Sequence, residues 1–173
     1  MSEMLEQIKS RRSIRKYKSD PVPKELLEKI IDAGLYAPSG MGQQAVIIIS
    51  VTNKEVRDKL SKLNAKIMGT DTDPFYGAPA VLIVLANKER PTYIYDGSLV
   101  MQNLMLAAHA LGLGSCWIHR AKEEFELPEG RELLNFLGIT GEYEGIGHCI
   151  IGYTDGEKPA PAPRKNNRVF HID

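Results

Sequence analysis

Residues 9–18 carry Lys9, Arg11, Arg12, Arg15, Lys16 and Lys18 without a single acid. Within them, Arg11, Arg12, Ser13 and Arg15 offer guanidinium forks and a hydroxyl, donors suited to a phosphate through charge-assisted hydrogen bonds. If the segment is helical, Arg11 and Arg15 share a face at i and i+4 and straddle such an anion. A second basic group, Arg164, Lys165 and Arg168, lies near the other end of the chain. Either cluster alone reads as a solvated face. Their occurrence together, in a sequence whose 22 Lys and Arg balance 22 Asp and Glu, suggests two distant segments meeting around one small anion. A third feature is the polar loop Pro38-Ser39-Gly40-Met41-Gly42-Gln43-Gln44, which composition alone describes as a plain connection.

Other chemistries lack their residues. No Gly-x-Ser-x-Gly elbow supports a serine hydrolase. The glycines of Gly147–Gly152 have phosphate-loop spacing without the lysine. Gly112-Leu113-Gly114-Ser115 precedes a strand, whereas a dinucleotide fingerprint follows one and opens a helix. His109, His119, His148 and His171 show no paired ligand spacing, so no metal is expected. Cys116 and Cys149 are too few for a disulfide framework. The balanced charge gives no reason to propose a nucleic-acid or membrane partner. No apolar run approaches the ~18 residues of a membrane span, and no cationic, apolar leader opens the sequence. A soluble cytoplasmic protein is the expectation.

The elements that must position these residues follow from periodicity. With 173 residues, 43% hydrophobic and 25% charged, the chain suits one globular domain, 1–173. A helix is expected from Met4 to about Lys16. After the breaker Pro21-Val22-Pro23, Leu26, Leu27, Ile30, Ile31 and Leu35 form one helical stripe. Ala45–Val51 reads as a strand buried on both faces. Asn53–Met68 is a helix capped by Asn53. Gly69–Pro79 is a loop and Ala80–Ala86 a second buried strand. Tyr93–Leu111 is the longest helix, apolar around much of its circumference, which indicates burial in the core or in a subunit interface. A strand at Ser115–Ile118, a short helix around Arg131–Leu137 and a strand at Ile146–Tyr153 complete the pattern. Alternation of this kind by itself favours a parallel sheet covered on both faces. The tail 154–173 has no pattern, and its basic and aromatic residues argue that it is fastened rather than loose.

Arg11-Arg12-Ser13-Ile14-Arg15-Lys16-Tyr17, then Pro21-Val22-Pro23-x-x-x-Leu27, then Ala37-Pro38-Ser39-Gly40-x-x-x-Gln44 resemble the FMN-dependent nitroreductase family. The resemblance continues through Gly77-Ala78-Pro79 and Asp96-Gly97-x-x-x-x-Gln102-Asn103-Leu104. It extends over Leu111-Gly112-Leu113-Gly114-Ser115-Cys116-Trp117 and Ile151-Gly152-Tyr153 to the basic tail. Each motif is weak singly; in this order, over nearly the whole chain, they specify a compact member of the family.

The resemblance implies an α+β fold, with a mixed central β-sheet wrapped by helices, in an intertwined homodimer holding FMN between subunits. Arg11, Arg12 and Ser13 would bind the FMN phosphate or ribityl oxygens, and Arg15 would sit near flavin N1 and O2. Pro38, Ser39, Gly40 and Gln43 would reach the FMN of the other subunit. Backbone groups around Cys116, Trp117, Ile118 and His119 would run beside the ring. Arg164 and Lys165, with Arg168 as competitor, would close over the phosphate from a tail packed on the site or the partner. The implied reaction is ping-pong: hydride passes from NADH or NADPH to flavin N5, then to a nitroaromatic, quinone or similar acceptor. The chemistry is the cofactor's, so no catalytic side chain is nominated. Phe75 and Tyr76 are candidates for the pocket wall. Two other readings follow the same resemblance: a specialised reductase of flavin, dihydropteridine or halophenol, and an FMN-binding storage or regulatory protein. The acceptor and the choice between NADH and NADPH are not written in these motifs.

Overall fold

Why the chain folds as it does is clearest in its middle. Val81 to Ala86 is a run of aliphatic residues without polar alternation, and in the computed structural model, which describes residues 2–172, all six are fully buried. They form the centre of β2 (Ala80–Asn87). Alternate side chains of this strand feed two cores. Leu82 and Val84 join Met101, Leu104 and Ile151 on one face of the sheet. Val81, Ile83 and Leu85 join Phe75, Phe125 and Ile150 on the other.

The remaining elements are α1 (Glu3–Ser10), α2 (Lys24–Leu35), β1 (Val46–Val51), α3 (Lys54–Met68), α4 (Tyr93–Ala110), β3 (Gly114–Ile118), α5 (Ala121–Glu126), α6 (Pro128–Phe136) and β4 (Tyr143–Gly152). Helix α3 begins where expected: the Asn53 side chain accepts the Val56 N–H at 3.0 Å, and Gly69 ends the helix at φ 73°. Caps of this kind satisfy backbone groups that the helix itself cannot.

The four strands lie in the order β1-β2-β4-β3, and every neighbouring pair is antiparallel. The α+β class is as expected, whereas the parallel sheet that alternation alone favours is not formed. The register gives the reason. Val51 at the end of β1 faces Val81 near the start of β2, so α3 and the loop 69–79 return the chain to the end of the sheet it left. Among the described residues a parallel element enters at one point, a bridge between Ser13 and Ser115.

That bridge also shortens the first helix. The spacing predicts helix to about Lys16, yet α1 stops at Ser10. Beyond it the Ile14 N–H donates to the Ser115 carbonyl at 2.9 Å, and the Lys18 N–H to the Tyr153 carbonyl at 2.9 Å. Pairing with the open edge of β3 and the end of β4 replaces helical hydrogen bonds, so Arg11 and Arg15 do not share a helical face. Strand β1 is likewise an edge strand: Val46 to Ile48 are half-buried and Ser50 is exposed, not buried on both faces. Helix α5 was not foreseen.

The tail is fastened only at its start, through the Tyr17–Thr154 bridge, the Asp155 N–H to the Lys16 carbonyl at 3.0 Å, and a Lys16–Asp155 ion pair at 2.9 Å. From Gly156 to Ile172 every residue is exposed in the single chain. Among the described residues no helix is long and apolar enough to cross a membrane.

Candidate functional site

Strand β3 is the outer strand of the sheet, and a strand edge presents unpaired backbone groups. At its first half that edge is used by Ile14. The alternation that turns the Ser115 carbonyl outward turns the backbone groups of Trp117 outward as well. There the edge opens into a cleft of about 430 Å³ lined by Arg15, Tyr76, Cys116, Trp117, Ile118, His119 and Arg120, with Met68, Thr72, Asp73 and Pro74 as its floor and rim. The structure therefore brings Arg15 together with Cys116, Trp117, Ile118 and His119 along one cleft. The Trp117 indole lies flat across the β3–β4 pair, where a Cβ on Gly147 would come within 2.3 Å of its Nε1. Only glycine at position 147 permits that seat.

The N-terminal basic residues behave differently from one another. Arg11 is half-buried at the end of α1, and its Nη1 is enclosed with no hydrogen-bond partner among the described residues. The Ser115 hydroxyl, across the bridge from Ser13, is in the same condition. Orphaned buried donors are rare and demand a partner. Arg12 has one already: its guanidinium folds back onto the carbonyls of Lys9 at 2.7 Å and Arg11 at 2.6 Å, closing the end of α1. Through Nη1, Arg12 thus caps the helix in the single chain.

Two residues outside the basic clusters, His109 and Lys158, join this group. His109 of α4 meets the Ser10 hydroxyl at 2.9 Å. Burial, and then the fields of Lys158, Arg11 and Arg12, push its pKa below the ordinary histidine value. Lys158 is thus a tail residue whose charge reaches His109. Arg164 is exposed and turns its guanidinium onto the carbonyl of Ala162, at 2.8 Å from Nη2; Lys165 and Arg168 are exposed too. Within one chain the structure does not bring them to Arg11.

The loop after α2 lies elsewhere. Pro38 and Ser39 line a separate shallow pocket with Leu35, Tyr36, Ala37, Gly42 and Gln44. The buried carboxylate of Asp96 pins this loop to the start of α4, accepting the Gly40 N–H at 3.0 Å and the Thr92 hydroxyl at 3.0 Å. A Cβ at Gly40 would strike the Thr92 hydroxyl at 2.4 Å. The Ser39 hydroxyl accepts the Gln44 N–H at 3.0 Å, and Gln43 is exposed. The loop is thus rigidly shaped but shares no lining residue with the cleft of its own chain.

Of the two aromatic candidates, Phe75 is no pocket wall. It is fully buried, its ring 5.1 Å from that of His148 and 5.5 Å beneath the Arg57 guanidinium. Tyr76 does line the cleft, at φ 51°. Asp73 holds both in place, accepting from Arg57 at 2.5 Å, Ser61 at 2.5 Å, the Phe75 N–H at 2.9 Å and the Gly77 N–H at 2.7 Å. Burial raises the pKa of this carboxyl, but these donors outweigh it and hold the group below the usual 3.8. The stabilisation is complete above the unfolded-chain value and fades as pH falls through the lower folded one. The gap in urea stability between parent and Asp73→Asn is expected to be widest near neutrality and to shrink below about pH 4; a gap independent of pH contradicts this.

Among the described residues no group of three metal-ligating side chains occurs. Cys116 and Cys149 are free and lie in opposite cores; burial, with Cys116 nearby, pushes the Cys149 thiol pKa well up.

Comparison with known proteins places this α+β architecture. The structure superposes on a crystal structure of a nitroreductase with bound FMN from Bacteroides fragilis with a TM-score of 0.91, 28% identity and 100% coverage of both chains. A nitroreductase with bound FMN from Desulfitobacterium hafniense gives 0.88 and 26%, again over 100% of both chains. The sequence pattern of the nitroreductase family matches residues 8–71 and 69–153, and the chain belongs to that family. The FMN reductase [NAD(P)H] of Bacillus subtilis is 41% identical over 186 residues, covering 95% of this chain and 70% of the relative. A Methanothermobacter thermautotrophicus relative is 36% identical over 124 residues; the matched part spans 66% of this chain and 60% of that relative's length.

Proposed function

We propose that the chain is an FMN-dependent NAD(P)H oxidoreductase that works as a homodimer and reduces a nitroaromatic, quinone or similar small acceptor. The observation that carries this reading is the continuity of one seam. The orphaned Arg11 Nη1 and Ser115 hydroxyl lie along it, and it leads directly into the cleft lined by Arg15 and the outer edge of β3. A phosphate suits the first part and a planar, hydrogen-bonding ring the second. The donor set fits FMN.

In this reading Arg11 and Ser13 bind the phosphate, with Lys158 adding positive field. Arg15 holds the pyrimidine edge, where a fixed cation favours the reduced, negatively charged form. The Trp117–His119 backbone orients the ring edge. Pro38, Ser39, Gly40 and Gln43 serve the site of the partner subunit, which explains why Asp96 shapes a loop remote from its own cleft. Arg164 and Lys165 reach the phosphate of that assembly. When bound, FMN would supply the two-electron hydride chemistry that links the nicotinamide to the acceptor.

The dimer is supported by apolar surface that the single chain leaves uncovered: Met4, Leu5 and Ile8 of α1, Leu35 of α2, and Ile94, Tyr95 and Leu99 of α4 are all exposed. Apolar exposure concentrated on neighbouring helices marks an interface. Light scattering is expected to give twice the chain mass of 19.3 kDa.

The decisive test is optical. The purified protein is expected to retain stoichiometric FMN, to bleach when NADH or NADPH is added without oxygen, and to recover its colour with a nitroaromatic or quinone. A yellow protein that neither nicotinamide bleaches would be a flavin store or regulator. A colourless protein that takes up no added FMN would overturn the reading entirely.

A further inference from the structure

Arg120 combines an unfavourable backbone with a costly support. Its φ of 76° places a non-glycine residue in the left-handed region, a conformation that costs free energy and collects at functional sites. Its Nε donates to the Asn64 Oδ1 at 2.9 Å. Asn64 is fully buried, and its amide nitrogen donates both to the His119 carbonyl at 2.9 Å and to Glu124 Oε1. Glu124 in turn faces His148 at 3.1 Å, both side chains wholly out of solvent. Three elements of the fold thus contribute buried polar groups to one turn. Glycine would make that turn without strain.

What the support secures is a guanidinium at the cleft. Arg120 lines it, and among the described residues no hydrogen bond or ion pair engages its two η nitrogens. The only other full charges on the lining are Arg15 and Asp73. The Asp73 carboxylate is already committed to Arg57, Ser61 and two backbone N–H groups. The cleft therefore presents two cations and no free anion, and such a site concentrates negatively charged ligands.

We propose that Arg120 is a specificity-determining residue whose η nitrogens grip an anionic group, carboxylate or phosphate, of the small molecule that meets the flavin. The inference rests on the flavin-site reading above. The anion has two possible sources: a substituent of the acceptor, or the phosphate that distinguishes NADP from NAD. A guanidinium fork suits either, because both offer paired oxygens.

Calorimetry on the oxidised, FMN-loaded protein reads this without turnover. The probes are 4-nitrobenzoate against its neutral isostere 4-nitrobenzamide, and NADP+ against NAD+. Tighter binding of the anionic member of one pair is expected, with R120Q losing tenfold or more of that affinity and R120K recovering part of it. The pair that responds identifies the source of the anion. R120G covers a folding failure of R120Q: relief of the positive φ offsets part of the hydrogen bond lost at Asn64 Oδ1, and the variant is expected to stay folded without urea while losing the same discrimination. Equal affinities within both pairs for the parent, or unaltered discrimination in both R120Q and R120G, overturn the proposal. If discrimination is lost only because R120Q releases FMN, and returns when FMN is restored, Arg120 serves the flavin instead and the proposal also falls. Anion discrimination in a protein that NADH and NADPH do not bleach would sink the oxidoreductase reading and leave this one standing.

Discussion

Arg11→Ala is expected to strip FMN from the protein while leaving it folded. The guanidinium of Arg11 supports no part of the core: its Nη1 is enclosed yet unpartnered, and the backbone N–H that caps α1 survives the change. What disappears is a charge-assisted donor worth roughly 1.5–3 kcal/mol, so the dissociation constant should rise by about 10- to 150-fold. Dialysis followed by flavin fluorescence of the retained fraction measures it directly. Full occupancy after exhaustive dialysis would remove Arg11 from the phosphate site. Arg12→Ala provides the contrast. Because Arg12 Nη1 holds the Lys9 and Arg11 carbonyls, its loss should also fray α1, a structural cost that Arg11→Ala does not carry.

The second large effect concerns stability. Glu124→Ala should destabilise the fold by about 3–5 kcal/mol, the range for removing one partner of a wholly buried polar pair. Three groups lose their neighbour at once: His148, the Asn64 amide and, through Asn64, the Arg120 side chain. The His148 contact, at 3.1 Å, is close enough for an ion pair but off the line of a good hydrogen bond, since neither ring nitrogen has a hydrogen-bond partner. The Asn64 bond is therefore the better defined part of the loss. Urea unfolding monitored by circular dichroism gives the number; a loss under about 1 kcal/mol would mean that solvent rescues the site.

How much of this was written in the sequence varies with the range of the interaction. Asn53, the α3 stripe and Gly69 are local, and the helix they define is the one formed. The aliphatic run of β2 needs no partner to be read as buried. Strand direction is a non-local property, set where Val51 meets Val81, and no periodicity records it. The end of α1 fails for the same reason, since helical spacing through Lys16 competes with an edge of β3 a hundred residues away. Helix α5 is a single turn and a half whose apolar positions, Ala121 and Phe125, are too few to show a stripe.

The site divides in the same way. The charge run at 9–18 announces Arg11 and Arg15 by composition. Cys116, Trp117, Ile118 and His119 carry no chemical signal of their own, because the backbone edge does the work there, and only the family resemblance pointed to them. Lys158, His109 and Arg120 were silent because each acquires meaning from residues distant in sequence. Arg164 and Lys165, conspicuous in sequence, find no role inside one chain.

The seat of Trp117 against Gly147 has an optical consequence. It is the sole tryptophan of the chain, so all indole emission originates on the edge strand that lines the cleft. An isoalloxazine lodged there would lie within easy range of resonance transfer, dimming the indole while exciting the flavin. Loading and release of the yellow ligand thus become visible in real time from an intrinsic fluorophore, without a label and with no second indole to blur the signal.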